Sequence, residues 1–259
     1  MTALRAGLRA LGLRAGQTVL VHASLRRLGP VPGGAAAVVA ALRGVLGPDG
    51  TLVAPAFTTN NSDTSPGFRE ATASMTAAET DAFRRSMPAF DPATTPPWRM
   101  GRIAEEIWAL PGTLRSGHAQ TSYSAIGPLA AKLTDAHAPD CHHGERSPLA
   151  RLYDAGAHVL LLGVGFEVCT AFHLAEYRHR PDPPTRLYRC VTDDGEGPRW
   201  REYRDVALHD GDFAALGAAF TATGSTRMGL IGRGSSHFFP LTTAVDFAIT
   251  WMRRHRAPE

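Results

Sequence analysis

Residues 160–177 read LLLGVGFEVCTAFHLAEY. The run 158–164 (HVLLLGV), which overlaps its start, is the most apolar in the chain. Such a run, closed by glycines, predicts a buried strand, central in a sheet. After the short glycine loop, residues 170–177 read as a helix. In open α/β sheets, ligands bind just beyond the carboxyl ends of the strands, so this loop and helix start are well placed for chemistry.

Working outward, residues 18–23 (TVLVHA) and 51–57 (TLVAPAF) predict two further strands. Helices are expected before them at 2–11 and 35–46, the second stopped by Gly47-Pro48-Asp49-Gly50. This helix–strand rhythm is that of a layered α/β domain. Further helices are expected at 101–109, 128–133, 148–153, 212–221 and 241–253, and a strand at 227–231. The alternating runs 186–192 and 199–208, joined by Asp193-Asp194-Gly195-Glu196-Gly197, predict a β-hairpin. Residues 58–98 break the pattern. They are rich in Thr, Ser, Asn, Asp and Pro, with at most one short helix near 77–85. A stretch of this length inside a compact domain reads as a functional flap or as a disordered insertion. With no internal repeat and no linker, one domain over 1–259 is expected.

Hydrophobic residues make up 44% and charged residues 20%, as in a globular chain and unlike a disordered one. No apolar run approaches the roughly 18–20 residues of a spanning helix, so no membrane partner is expected. The N-terminal MTALRAGLRALGLRAGQ lacks an unbroken apolar core and a cleavage site, and it reads as a helix rather than a signal peptide. The expected compartment is the cytoplasm. Cys141, Cys169 and Cys190 form no CxxC pair, which argues against a disulfide framework and a structural zinc site. The net charge is +3, but the arginines are scattered, so a nucleic-acid partner is not expected.

His173 and Glu176 lie three residues apart, on one face of the expected helix. A carboxylate bonded to one imidazole nitrogen fixes the tautomer and raises basicity at the other, which makes a general base. The same spacing also occurs in structural pairs, and the place beyond a buried strand is what favours chemistry here. Gly163-Val164-Gly165 lacks the third glycine of a dinucleotide fingerprint, Val168 standing in its place. Cys169, four residues before His173, offers a Cys–His acyl-enzyme route or a small packing residue. His118, His142 and His143 have none of the tight spacings of zinc enzymes, and no metal is expected.

Six segments in order resemble the aminoglycoside 3-N-acetyltransferase family, an antibiotic N-acetyltransferase group distinct from the GNAT fold. They are 19–29 (VLVHASLRRLG), 46–57 (LGPDGTLVAPAF), 90–96 (FDPATTP), 110–128 (LPGTLRSGHAQTSYSAIGP), 147–149 (SPL) and 159–177. The resemblance implies an α/β fold with a central mixed sheet flanked by helices. It also implies acetyl-CoA as donor and direct acetyl transfer to the 3-amino group of an aminoglycoside. His173 then matches the general base, Glu176 the carboxylate that orients it, and His143 a histidine lining the active site. Ser24 and Leu25, with Arg26, match a coenzyme-cradling loop. Arg115, Ser116, His118, Ser122 and Tyr123 match a second coenzyme-contacting segment, and Arg26, Arg27 and Arg115 suit its phosphates. His118-Ala119 and Cys169 depart from the common pattern. Residues 58–98 would face the acceptor, with Asp63 and Asp205 as candidate carboxylates for its ammonium groups. The alternatives are the same fold acylating another amine, or a non-catalytic ligand-binding protein. A monomer or homodimer is expected.

Overall fold

In the computed structural model, which describes residues 2–256, helices and strands alternate from the start. They are α1 (Thr2–Leu11), β1 (Thr18–Ala23), α2 (Gly34–Leu46) and β2 (Thr51–Pro55). Next come α3 (Pro66–Thr72), α4 (Ala77–Ser86), α5 (Arg102–Ala109), β3 (Leu114–Arg115) and β4 (Tyr123–Ile126). Then follow α6 (Ala130–Thr134), α7 (Pro148–Asp154), β5 (His158–Leu162) and α8 (Ala171–Arg178). The last elements are β6 (Thr185–Asp193), β7 (Pro198–Val206), α9 (Phe213–Ala222), β8 (Arg227–Ile231), β9 (Gly234–Pro240) and α10 (Leu241–His255).

The main sheet runs β3-β4-β2-β1-β5-β9-β8. Its centre is parallel: β1 pairs with β2 on one side and with β5 on the other. Antiparallel strands extend both edges, so the sheet is mixed, as the resemblance implied. Successive side chains on the central strands enter opposite layers. Val19, Val21, Leu52, Ala54, Leu160 and Leu162 pack with α1, α2 and α5. Leu20, Val53, Val159 and Leu161 pack with α6 through α10. Burying each large aliphatic side chain stabilises by roughly 1.5–3 kcal/mol. Strands covered on both faces have no polar side to show, which is why residues 19–21, 52–55 and 159–162 are apolar without alternation.

The two strands expected at 51–57 and 158–164 end two residues earlier, at Pro55 and Leu162. Gly163 turns the chain out of β5 at φ 69°, a left-handed conformation that glycine adopts without strain. Residues 58–98 are folded, and they correct the expectation of at most one helix there. α4 carries a capping box between Thr76 and Glu79, while α3 starts at a Ser65 cap followed by Pro66. This segment packs on the hairpin β6–β7. Phe68, Met87 and Val191 form a shared apolar cluster, and the Asn61 side chain accepts a hydrogen bond from Val191 N at 2.9 Å.

Helix α9 crosses the Phe166 side chain so closely that a Cβ on Gly217 would lie 2.1 Å from Phe166 Cβ. Alanine at 217 would gain about 1 kcal/mol of helix propensity. The overlap with a ring stacked among Phe172 and Phe239 outweighs that gain. Gly217→Ala is therefore expected to destabilise the protein by about 1–3 kcal/mol in urea unfolding; unchanged or raised stability would show that the contact yields freely.

Candidate active site

The carboxyl ends of β1, β2 and β5 open into a cleft of about 580 Å³. Its walls include His22–Arg26 after β1, Pro55 and Phe57 after β2, and Val164, Glu167, Val168 and Thr170 after β5. The stretch from Arg99 to Ala104, leading into α5, closes one side, and Asp210 with Phe213 at the start of α9 closes another. His173 projects from the first turn of α8 into the same space.

Around His173 the polar contacts are short. Its Nδ1 lies 2.6 Å from Glu176 Oε2, and Nε2 has no hydrogen-bond partner among the described residues. Glu176 is 1% exposed. Its other oxygen, Oε1, accepts from His209 N at 2.9 Å and from Arg256 Nη1 at 2.6 Å. Burial alone would favour the neutral acid, but the neighbouring His173 and Arg256 prevail and hold the carboxyl below its ordinary range. His143 stacks on the imidazole of His173 at 4.8 Å with 8° between planes, and Phe213 packs against the same ring at 4.8 Å. The nitrogen that lacks a protein partner is thus offered to an occupant of the cleft.

His143 is held in turn from behind. Tyr123 Oη is 2.9 Å from its Nδ1, and its backbone N–H donates to Tyr177 Oη at 3.3 Å. Tyr177 donates to Asp205 Oδ2 at 2.6 Å, and His142 donates to the same oxygen through its backbone N–H at 2.7 Å. Burial holds His143 far below the ordinary histidine range, so it is neutral. Cys169 is fully buried and its thiol is pushed up to about 12, a poor source of thiolate. Packing, not acyl transfer, is the role its position supports.

The structure brings Ser24, Leu25 and Arg26 together with His173 along one cleft. His143 joins His173, although it is not a wall of that cleft. Arg115, Ser116, His118, Ser122 and Tyr123 are turned inward. Arg115 bonds Ser122 Oγ and the backbone carbonyl of Ala56, while Ser116 Oγ meets His137 Nδ1 at 3.0 Å. His118 accepts from Gln120 N and Thr121 N. None of the five lines the cleft. Asp63 pairs with Arg84 at 2.9 Å and Arg189 at 2.7 Å and does not line the cleft. Asp205 is engaged as described. Sequence reasoning passed over Arg99, Met100, Arg102, Asp210, Phe213 and Arg256. The one available signal was Arg99-Met100-Gly101-Arg102, two cations around a glycine at a helix start.

The model for the aminoglycoside 3-N-acetyltransferase family matches residues 20–253. The prophage-derived aminoglycoside N(3')-acetyltransferase-like protein YokD of Bacillus subtilis (strain 168) is 38% identical, over 94% of this chain and 89% of its own. Aminoglycoside N(3)-acetyltransferase VII of Streptomyces paromomycinus is 36% identical, over 99% and 94%. The crystal structure of YokD superposes with a TM-score of 0.93 at 36% identity, covering 100% of this chain and 94% of that one. The complex of AAC-IIIb with CoASH gives a TM-score of 0.84 at 32% identity, over 100% and 98%.

Two buried histidines beside this centre carry a pH signature. His22 and His137 fall from 6.5 to about 3, chiefly through desolvation. Their folded-state values lie below the unfolded ones, so as pH falls through 6.5 the unfolded chain takes up protons that the folded chain refuses. Stability is then fully present above about pH 6.5 and is lost on acidification, down to the folded-state values. Each such histidine is expected to remove about 1.4 kcal/mol per pH unit below that point. Urea unfolding at a series of pH values reads this directly; a flat profile down to pH 5 would contradict it.

Proposed function

Because the chain belongs to the aminoglycoside 3-N-acetyltransferase family, we propose that it transfers acetyl from acetyl-CoA to an aminoglycoside 3-amino group, with His173 as general base. The observation that carries this reading is the 2.6 Å bond from His173 Nδ1 to Glu176, which leaves Nε2 facing an open cleft. An amine is protonated at neutral pH and must lose a proton to attack a carbonyl. An imidazole oriented by a carboxylate can take that proton as attack proceeds. The stacked, neutral His143 crowds one face of the ring and fixes its plane without adding charge.

The cleft's chemistry fits the donor. Leu25, Met100, Ile103 and Val164 give it apolar walls for a slender pantetheine arm, and Arg26, Arg99 and Arg102 put guanidinium groups where phosphates can reach them. Acetyl-CoA supplies a thioester whose carbonyl the amine attacks. Ser24 and Leu25 shape the loop between that arm and His173. Of the two carboxylates on the walls, Glu167 faces Arg27 at 3.6 Å, whereas Asp210 has no ion-pair partner among the described residues. Asp210 is the group we assign to an ammonium of the acceptor. Asp63 and Asp205, both engaged internally, leave fewer free carboxylates than a polycation would use. That observation favours a second reading, a smaller amine as acceptor of the same acetyl group.

Thiol release from acetyl-CoA, measured with gentamicin, kanamycin, apramycin and simple diamines, separates the two. Turnover with an aminoglycoside is the expected result; turnover with small amines alone would favour the second reading, and none with any amine would contradict both. His173→Ala should lower kcat by about 10²–10⁴-fold while coenzyme binding persists. Wild-type turnover in that variant would remove the general-base assignment.

A further inference from the structure

Arg256 lies just beyond α10, eighty positions after Glu176, and does not line the cleft. Its side chain is nevertheless only 18% exposed, and its contacts converge on the Glu176 carboxylate and the residues beside it. Nη1 reaches Glu176 Oε1 at 2.6 Å. Nε and Nη2 form a two-pronged pair with Asp212, at 2.8 and 2.7 Å, and Nη2 also donates to the carbonyl of His209 at 2.8 Å. All three guanidinium nitrogens are committed, in a planar fork that a lysine cannot reproduce.

We propose that Arg256 is a positioning residue for acetyl transfer: it holds the Glu176 carboxylate in the orientation that aims Oε2 at His173, and it balances that carboxylate's charge. This rests on the reading of His173 as general base. The geometry divides the two oxygens of Glu176 between distinct tasks. Oε1 is pinned by Arg256 and by His209 N–H, so the carboxylate cannot rotate, and Oε2 is left for the imidazole. The same guanidinium ties down Asp212, next to Phe213, whose ring packs on His173. One side chain therefore fixes the base's partner and the wall beside it.

The charges around the imidazole support a second task. His22 on β1 and His142 and His143 before α7 are depressed by burial and carry no charge. Tyr123 on β4 is pushed upward and remains a neutral phenol, and Cys169 beside α8 stays a thiol. The remaining charges are Glu176 on the same helix, Asp210 and Asp212 before α9, Glu167 across the cleft with Arg27 beside it, the cleft arginines Arg26, Arg99 and Arg102, and Arg256 itself. Arg256 is the one arginine bonded to Glu176 among the described residues; without it, that carboxylate would act on the imidazole uncompensated, and the protonated form would be favoured. A base that is already protonated cannot accept the proton of the amine.

The test compares the full-length protein with Arg256→Gln and Arg256→Lys. In Arg256→Gln, kcat should fall on the order of 10–100-fold, as when an outer partner of a catalytic group is removed, while KM for acetyl-CoA changes little. The acid limb of the kcat/KM profile, and the His173 imidazole titration followed by NMR, should both move to higher pH. Arg256→Lys should recover part of kcat and most of the shift, because it restores the charge without the fork. Thermal unfolding confirms that each variant is folded. An unmoved NMR titration with wild-type kcat would overturn the proposal, as would equal losses in both variants that track only a lowered melting temperature. A moved titration beside an unmoved rate profile would uphold the positioning role and count against His173 as the base.

Discussion

Parallel pairing of β1 with β2 and β5 decides where the site of this protein can lie. Each of these strands is covered by helices on both faces, so apolar residues dominate each, with His22 on β1 a buried exception. Pairing them in parallel puts their carboxyl ends at one edge, and the chain must leave each strand there. Three departing loops in one place leave a hollow that no side chain from the sheet can fill. The cleft is the direct result of this topology, and helix α8, leaving β5 through Gly163, delivers His173 into it.

Two buried carboxylates then join the outlying parts to that centre. Removing a carboxylate from water costs several kcal/mol unless hydrogen bonds and countercharges surround it. Glu176 and Asp205, 1% and 7% exposed, each meet that demand by recruiting distant groups. Glu176 draws in His209 N–H and Arg256 from the C-terminal part of the chain. Asp205, on β7, gathers Tyr177 from α8 and both the backbone and ring of His142. The hairpin, the histidine loop and the segment after α10 are thereby tied to one helix. A side chain lost from either network leaves the other members buried and unpaired, so their positions are coupled.

How much of this was legible in the sequence depends on how local the signal was. β1 and β8 were read at their observed bounds, and β5 within two residues, because the apolar run or β-rich pattern marks each one. β9 escaped notice: GSSHFFP alternates in burial, but small polar residues occupy its early positions, so no apolar rhythm marks it. α3 was hidden because Ser65-Pro66 reads as loop until the cap geometry is seen. The His173–Glu176 contact was visible because helix geometry alone brings residues three apart together. Arg256, His209 and Asp210 lie far along the chain, and only the fold brings them to α8 or the cleft. Asp63 and Asp205 show the converse. A carboxylate in a polar stretch looks the same in sequence whether it faces a ligand or an internal arginine or tyrosine, and here both face internal partners.

A crystal structure of the protein with coenzyme A shows whether one cleft at the ends of the parallel strands holds the acyl donor beside His173. The pantetheine arm is expected between the Ser24–Arg26 loop and the start of α5, its sulfur beside the imidazole of His173 and its phosphates among Arg26, Arg99 and Arg102. Coenzyme bound against the Arg115–Tyr123 segment instead, or lying in the cleft with its sulfur directed away from His173, would contradict that placement.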